Sequence, residues 1–185
     1  MATTESLWSV SDKWGTDKGT RYYTCPLSTL ETALRNTSYI PSNAKITSLK
    51  LRVTADVDLI GLANIYLSYG FGSASGINKE LLSETKFSSF DPKEFPSDGV
   101  NITSYLSSNV SPFAIKRDHG ENLTFRFETA NILSKTMKIE SVKLEFTYEI
   151  IKTEKVAIDT TKPKKILIDK QEAKAIYIDT TKVYG

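Results

Sequence analysis

The strongest constraint on the fold is a repeated alternation of apolar and polar residues. It is clearest in three segments, residues 46–53, 122–129 and 137–151. Because successive side chains of a β-strand point to opposite faces, this period of two predicts strands with one buried and one solvated face. In the third segment the alternation changes phase between Ile139 and Val142. That slip predicts a β-bulge or a bend.

The remaining segments carry weaker signals. Residues 63–69 alternate less cleanly and predict a further strand, which we expect to end in a glycine-rich loop at 70–76. Residues 26–35 place leucines at helical spacings after a proline, which predicts a short helix. Prolines, serines and an Asp-Gly pair predict a long loop at 87–98. Residues 100–106 suit either a strand or one helical turn.

Several strands separated by turns, with almost no helical period, favour an all-β fold. We predict an antiparallel, jelly-roll-like β-sandwich over residues 1–151. A chain of 185 residues suits one such domain with a short appendage. Abundant Thr, Ser, Ile, Tyr and Phe also suit a pleated, half-buried surface.

Residues 152–185, which we call the tail, form a distinct repetitive segment. A short β-branched run closed by Asp occurs at 156–159 and returns at 166–169 and 176–179, with a period of ten. Such units predict a meander of three short strands that extends the sandwich. The larger apolar side chains of these three runs are Val156, Ile158, Ile166, Leu167, Ile168, Ile176, Tyr177 and Ile178.

The tail is too short to fold by itself. Burying its apolar side chains does not offset the backbone entropy lost on ordering about thirty residues. We therefore expect it to dock onto the sandwich, onto copies of itself or onto another protein, with its apolar side chains as the assembly interface. Eight lysines and five acidic residues give the tail a net charge of +3, which leaves −1 of the total of +2 for the other 151 residues.

Nucleic-acid and membrane partners are not expected. The lysines of the tail bracket its strands and alternate with acids, a pattern that discourages edge-to-edge pairing more than it binds phosphates. Residues 1–10 lack the basic start and apolar run of a signal peptide. The chain contains no apolar run long enough for a membrane-spanning helix.

Catalytic and metal-binding patterns are also missing from the sequence. Cys25 is the only cysteine, which excludes an internal disulfide and a cysteine-based zinc site. His119 is the only histidine and lies in a segment typical of a solvated turn. The sequence contains no nucleophile elbow, no zinc-protease helix motif and no phosphate-binding loop motif. We expect no enzyme activity, no cofactor and no metal.

Calcium is the one metal that the carboxylates of the chain would suit. Asp56 and Asp58 flank the end of a strand, and Asp91 and Asp98 lie in the long loop. Several oxygen ligands of this kind suit calcium. Ordinary turn carboxylates are nevertheless the favoured interpretation.

The best binding candidates are four aromatic residues in the irregular region 1–40. They are Trp8, Trp14, Tyr22 and Tyr23. Aromatic rings stack on sugars or fill the pockets of partner proteins. The alternative is that these four side chains close the open end of the sandwich.

Two segments resemble parts of known structural proteins. The ending KAIYIDTTKVYG, residues 174–185, resembles repeated strand-turn endings on structural proteins of tailed bacteriophages of Gram-positive bacteria. Residues 40–47, IPSNAKIT, resemble the start of β-sandwich domains in phage tail and head accessory proteins. No functional residue is carried over.

The resemblance implies a virion protein, made in the host cytoplasm, that contacts other virion proteins and forms homo-oligomers. A position in the tail or baseplate and a role in capsid decoration both fit it. The alternative function is a carbohydrate-binding module that attaches the particle to a cell-surface glycan through the aromatic residues.

Overall fold

The computed structural model describes residues 2–3, 5–14, 19–36, 40–58, 65–87, 93–129, 135–152, 167–168, 171–172, 176–178 and 181–184. The chain divides into two compact units, Met1–Ile151 and Lys152–Gly185. The first unit is a two-layer sandwich, and the second is the tail.

One layer of the sandwich, sheet A, is built around two long antiparallel strands. Its members are β1 (Ala2–Thr3), β2 (Trp8–Trp14), β4 (Ala44–Asp58), β7 (Lys93–Glu94), β8 (Val100–Asn101) and β12 (Lys135–Ile150). Strand β12 pairs with β4 along one edge and with β1 and β2 along the other. The far edge of β4 pairs with β7 and β8.

The other layer, sheet B, has four strands. They are β3 (Gly19–Pro26), β5 (Ile65–Ser73), β6 (Gly76–Phe87) and β11 (Asn122–Thr129), in the spatial order β3-β11-β5-β6. Every pairing is antiparallel.

The connectivity is that of a jelly roll. When β1 is counted with β2 and β7 with β8, the chain supplies eight strands to the two layers. Sheet A then holds the first, eighth, third and sixth strands, and sheet B the second, seventh, fourth and fifth. This order interleaves two Greek keys. The predicted all-β sandwich is confirmed.

The core lies between the layers and follows the predicted alternation. Leu49, Leu51 and Val53 of β4 are completely buried, as are Phe125 and Phe127 of β11. Burial of each such side chain contributes about 1.5–3 kcal/mol. The predicted bulge in β12 is also confirmed, because its pairing register with β4 shifts directly after Ile139.

Smaller elements close one end of the sandwich. They are α1 (Leu27–Asn36), a 3-10 helix (Thr103–Tyr105) and the paired strands β9 (Leu106–Ser108) and β10 (Ala114–Ile115). The predicted helix is confirmed one residue later than expected, with Leu27, Leu30 and Leu34 completely buried. Among the described residues, no helix has the length and apolarity needed to cross a membrane.

The predicted glycine-rich loop at 70–76 is wrong. Strand β5 continues to Ser73, and only residues 74–75 form the turn into β6. A Cβ atom at Gly70 would lie 2.0 Å from the carbonyl oxygen of Glu80, and one at Gly72 would lie 2.2 Å from that of Gly76. The glycines therefore let β6 approach β5 closely where their register shifts.

The N-terminal region is more regular than predicted. Strand β3 turns Arg21, Tyr23 and Cys25 inwards, with Tyr22 and Pro26 exposed between and after them. Polar and amphipathic side chains conceal this alternation, since Tyr23 packs its ring against the core while its hydroxyl bonds Asp12.

The described part of the tail consists of two hairpins. Strand β13 (Leu167–Ile168) pairs with β14 (Gln171–Glu172), and β15 (Ile176–Ile178) pairs with β16 (Thr181–Tyr184). Each of the last two repeats thus supplies a strand and its own return strand. The first repeat, 156–159, lies outside the described residues.

Candidate functional site

The two outer faces of the sandwich differ in chemistry. On sheet A, Arg52 donates from Nε to Oε2 of Glu145 over 2.7 Å and also bonds Glu94. Lys50 lies 3.8 Å from the other oxygen of Glu145. The hydrogen bond from Arg52 is the main reason why the pKa of Glu145 lies below its ordinary value. These charges satisfy one another within the chain, so a partner would have to displace them.

The outer face of sheet B, which we call face B, exposes large apolar side chains. Tyr22 on β3 is 37% exposed, Tyr66 on β5 is 45% exposed and Leu81 on β6 is 57% exposed. Among the described residues, the other exposed large hydrophobic side chains are Ile150 and Ile151, where β12 ends. Face B therefore concentrates the exposed apolar surface of the sandwich strands.

Strand pairing places four charged residues of face B in two rows. In the first row Arg126 of β11 is the register partner of Ser68 of β5, which in turn faces Glu84 of β6. The guanidinium of Arg126 forms an ion pair with Glu128 on its own strand. Its Nε atom is buried and has no hydrogen-bond partner. The guanidinium thus retains an unused donor.

The second row lies two residues further along each strand. There Glu128 of β11 faces Tyr66 of β5, which faces Lys86 of β6. The Nζ atom of Lys86 lies 5.9 Å from the ring centroid of Tyr66, within range of a cation–π contact. In the first row the basic residue is therefore on the β11 side of β5 and the acidic residue on the β6 side. In the second row the two positions are reversed.

The structure does not gather the four predicted aromatic residues into one surface. Trp8 stacks on Phe125 of the core, and Tyr23 is half-buried. Tyr22 points outwards onto face B. Trp14 is the last residue of β2, and its side chain lies outside the described part of the chain.

Sequence reasoning missed three residues of face B. Tyr66, Leu81 and Arg126 are separated widely in the chain, and only the strand order brings them to one face. The alternation of residues 122–129 did place Arg126 on a solvated side, but it gave no indication of which strands flank it.

Asp12, Arg21 and Tyr23 join the edges of the two sheets. Oδ2 of Asp12, on β2, accepts a hydrogen bond from Arg21 over 2.9 Å and another from the hydroxyl of Tyr23. The bond from Tyr23 lowers the pKa of Asp12 below its ordinary value, and Arg21 adds to this. Burial, together with the bond to Asp12, raises the pKa of Tyr23 to about 12. This cluster has a structural role.

The contacts of Cys25 and His119 are those of packing residues. Cys25 is completely buried, and burial raises its pKa to about 12, so its thiol stays protonated at neutral pH. The ring of His119 lies 6.5 Å from that of Tyr105, and its carbonyl oxygen accepts a bond from Asn78. Both residues therefore fit packing roles.

The aspartates considered for calcium are not gathered into a site by the described residues. Asp56 lies on β4, Asp98 lies in the exposed turn before β8, and Asp91 is outside the described part of the chain. Within that part, no three His, Cys, Asp or Glu side chains are grouped to hold a metal ion.

The predicted tail interface is described only in part. Leu167, Ile168, Ile176, Tyr177 and Ile178 lie in the strands of the two hairpins. The other three residues, Val156, Ile158 and Ile166, lie outside the described part of the chain. That these residues form an assembly interface stays a prediction.

The chain was compared with known proteins. No protein-family model matches it. A search of curated proteins also finds no significant match.

Proposed function

We propose that this chain is a structural protein of a virus particle, assembled in many copies through protein–protein contacts. The observation that carries the proposal is the contrast between the two outer faces. On sheet A the charges around Arg52 are satisfied within the chain, whereas face B presents Tyr22, Tyr66 and part of Arg126 to solvent. Tyrosine and arginine are the residue types that most often dominate the energy of protein interfaces.

The fold supports this proposal without deciding it. Jelly rolls recur in virus capsids and in lectins, but a fold alone does not fix a function. Two sheets packed around a completely buried core hold the residues of face B in fixed positions relative to one another. A bacteriophage tail or baseplate, or the surface of its capsid, is the setting we favour for a chain of this kind.

The tail supports the proposal independently. Its described strands have two to four residues each and form separate two-stranded hairpins. Hairpins of this size are marginally stable alone in water, and their edges can accept further strands. Contact with other virion proteins would supply the missing burial.

The test is to purify particles from cells that carry the gene and to quantify the chain in them by mass spectrometry. We expect it in many copies per particle. Electron microscopy of the purified chain at high concentration should also show regular assemblies. Absence from the particles, with a chain that remains monomeric, would contradict the proposal.

Carbohydrate binding is the second candidate, and one observation favours it. The rings of Tyr22 and Tyr66 are exposed on the same face, where they offer stacking surfaces for sugars. A glycan array with the wild-type chain and with Tyr22→Ala and Tyr66→Ala tests this. If the wild-type chain binds no glycan, this candidate is rejected.

A further inference from the structure

The charge pattern of face B is complementary to itself. Strand β5 lies between β11 and β6. In the first row the base, Arg126, is on the β11 side and the acid, Glu84, on the β6 side. In the second row the acid, Glu128, is on the β11 side and the base, Lys86, on the β6 side.

Consider a second copy whose face B lies against the first, related to it by a rotation of 180° about an axis parallel to β5. The β11 side of one copy then lies opposite the β6 side of the other, and each row lies opposite the same row. This arrangement brings Arg126 of one copy opposite Glu84 of the second copy, and Glu128 opposite Lys86. Tyr66 lies on the axis and meets Tyr66 of the second copy. We propose that two copies of this chain associate through face B about this twofold axis.

The proposed contact satisfies groups that the single chain leaves unsatisfied. Within the described residues Glu84 forms no ion pair, and Arg126, which is 38% exposed, pairs only with Glu128 of its own strand. Each charge would gain an opposite partner, since a twofold interface repeats every contact. Opposite charges across an interface also fix its register, because a shifted register would place like charges together.

Apolar contacts provide the centre of the proposed interface. Tyr66 would be buried at the axis, with Leu81 on the neighbouring strand β6. Sheets packed face to face lie about 10 Å apart, which leaves room for interdigitated tyrosine rings. On sheet A, in contrast, Arg52 and Glu145 already bond each other, so that face gains less from a second copy.

This inference rests on the proposed function, because it names the partner of the surface that carries it. The first experiment measures the dimer dissociation constant of the full chain by sedimentation. Glu84→Lys and Arg126→Glu should each weaken association at least tenfold, because each places like charges opposite one another. The double variant Glu84→Lys/Arg126→Glu should return to within about threefold of wild type, since the exchanged charges again match.

The matched control is Lys138→Glu on the outer face of sheet A. Lys138 is 46% exposed, and the change also reverses a surface charge. It should leave the dissociation constant unchanged. Thermal melting of each variant checks that it is folded. Single variants that associate like wild type, or a folded double variant that fails to recover, would overturn the proposal.

A second experiment does not depend on charge reversal. Cys25, the only cysteine, is completely buried. A cysteine introduced as Tyr66→Cys is therefore the reactive one, and a bis-maleimide reagent spanning about 10 Å should link two copies across the axis. Lys138→Cys, with similar exposure on sheet A, should give at least tenfold less dimer. Equal yields from the two variants would overturn the proposal.

The outcomes separate this inference from the proposed function. A chain that enters particles in many copies, with incorporation lost in Tyr66→Glu but no self-association, shows that face B binds a different virion protein. That result overturns the inference and leaves the function standing. A chain that dimerises as proposed but is absent from particles supports the inference and contradicts the function.

Discussion

The indole ring of Trp8 lies parallel to the phenyl ring of Phe125, with the ring centroids 5.3 Å apart and an angle of 7° between the planes. The stack links β2 of sheet A to β11 of sheet B. Trp8 thus holds β2 onto the core, in keeping with its partly buried position against the core residues.

Removing this stack should destabilise the sandwich. We expect Trp8→Ala to lower the free energy of unfolding by about 2–4 kcal/mol, somewhat less than for a fully buried tryptophan. Urea unfolding measures this, with Tyr22→Ala as the control, which should change stability by about 0.5 kcal/mol or less. An unchanged midpoint for Trp8→Ala would show that the stack contributes nothing to stability.

The close approach of β6 to β5 predicts that Gly70 tolerates no side chain. A Cβ atom there would also lie 2.7 Å from the Cγ2 atom of Ile77, so Gly70→Ala must displace the backbone. We expect a loss of about 2–4 kcal/mol in unfolding free energy. Gly76→Ala is the matched control, because no atom lies within 4 Å of its added Cβ. Similar melting of the two variants would contradict this account.

The bond between Asp12 and Tyr23 predicts a pH dependence at both extremes. The pKa of Asp12 is lowered from 3.8, so its contribution to stability is present above that pH and is lost as the pH falls through the folded-state value. The pKa of Tyr23 is raised from 10.0 to about 12, so its contribution is lost as the pH rises through that interval.

Chemical denaturation across the pH range checks both limbs. The stability difference between wild type and Asp12→Asn should shrink as the pH falls below 3.8. Tyr23→Phe should flatten the decline between pH 10 and about 12. Cys25 contributes in the same direction from pH 9, because burial raises its pKa to about 12, so Cys25→Ala is a necessary background. Parallel curves for wild type and Asp12→Asn would refute the acid limb.

A buried carboxylate anchors α1 to β10 and to the segment that follows it. Oε1 of Glu31 accepts the backbone N–H of Ile115 over 2.7 Å, and Oε2 accepts from Arg117 over 3.0 Å. We expect Glu31→Ala to cost about 2–4 kcal/mol, because it leaves both donors without this acceptor. Glu121→Ala removes a 76% exposed partner of Arg117 and should cost about 0.5 kcal/mol or less. Equal losses in thermal melting would argue against the anchor.

The sequence was sufficient for the strands whose exposed positions carry long charged residues. In β4, for example, Lys50 and Arg52 alternate with the completely buried Leu49, Leu51 and Val53. The charged residues show which face of the strand is solvated. In β6 the pattern is interrupted, because Leu81 is exposed and Leu82 only partly buried where the register shifts. A bulge breaks the period of two, so this strand was not predicted.

The candidate surface was beyond sequence reasoning for a different reason. Its aromatic ring makes Tyr22 a binding candidate in the sequence, and the same holds for Tyr23. The structure places the two rings on opposite faces of β3. The partners that matter, Tyr66 and Arg126, come from strands paired over long chain separations. Such pairing is a property of the assembled sheet and has no local signature.

Two hydrogen bonds fix the end of the sandwich just before the tail begins. The N–H of Ile151 donates to the carbonyl oxygen of Asn43 over 2.9 Å, and the side-chain amide of Asn43 donates back to Ile151 over 3.0 Å. These bonds hold the end of β12 to the turn before β4. We infer that the tail can be changed without loss of the sandwich.

The last prediction therefore concerns Ile178, which pairs with Thr181 in the final hairpin. Ile178→Lys places a charge in a hairpin that needs apolar contacts, so we expect incorporation into particles or oligomers to fall at least tenfold. The melting temperature of the sandwich should change little. Thr181→Lys, which adds a charge to the same hairpin without removing an apolar side chain, is the control. Normal incorporation with a lost melting transition would show that the tail belongs to the core, and no change in either measurement would show that it is dispensable.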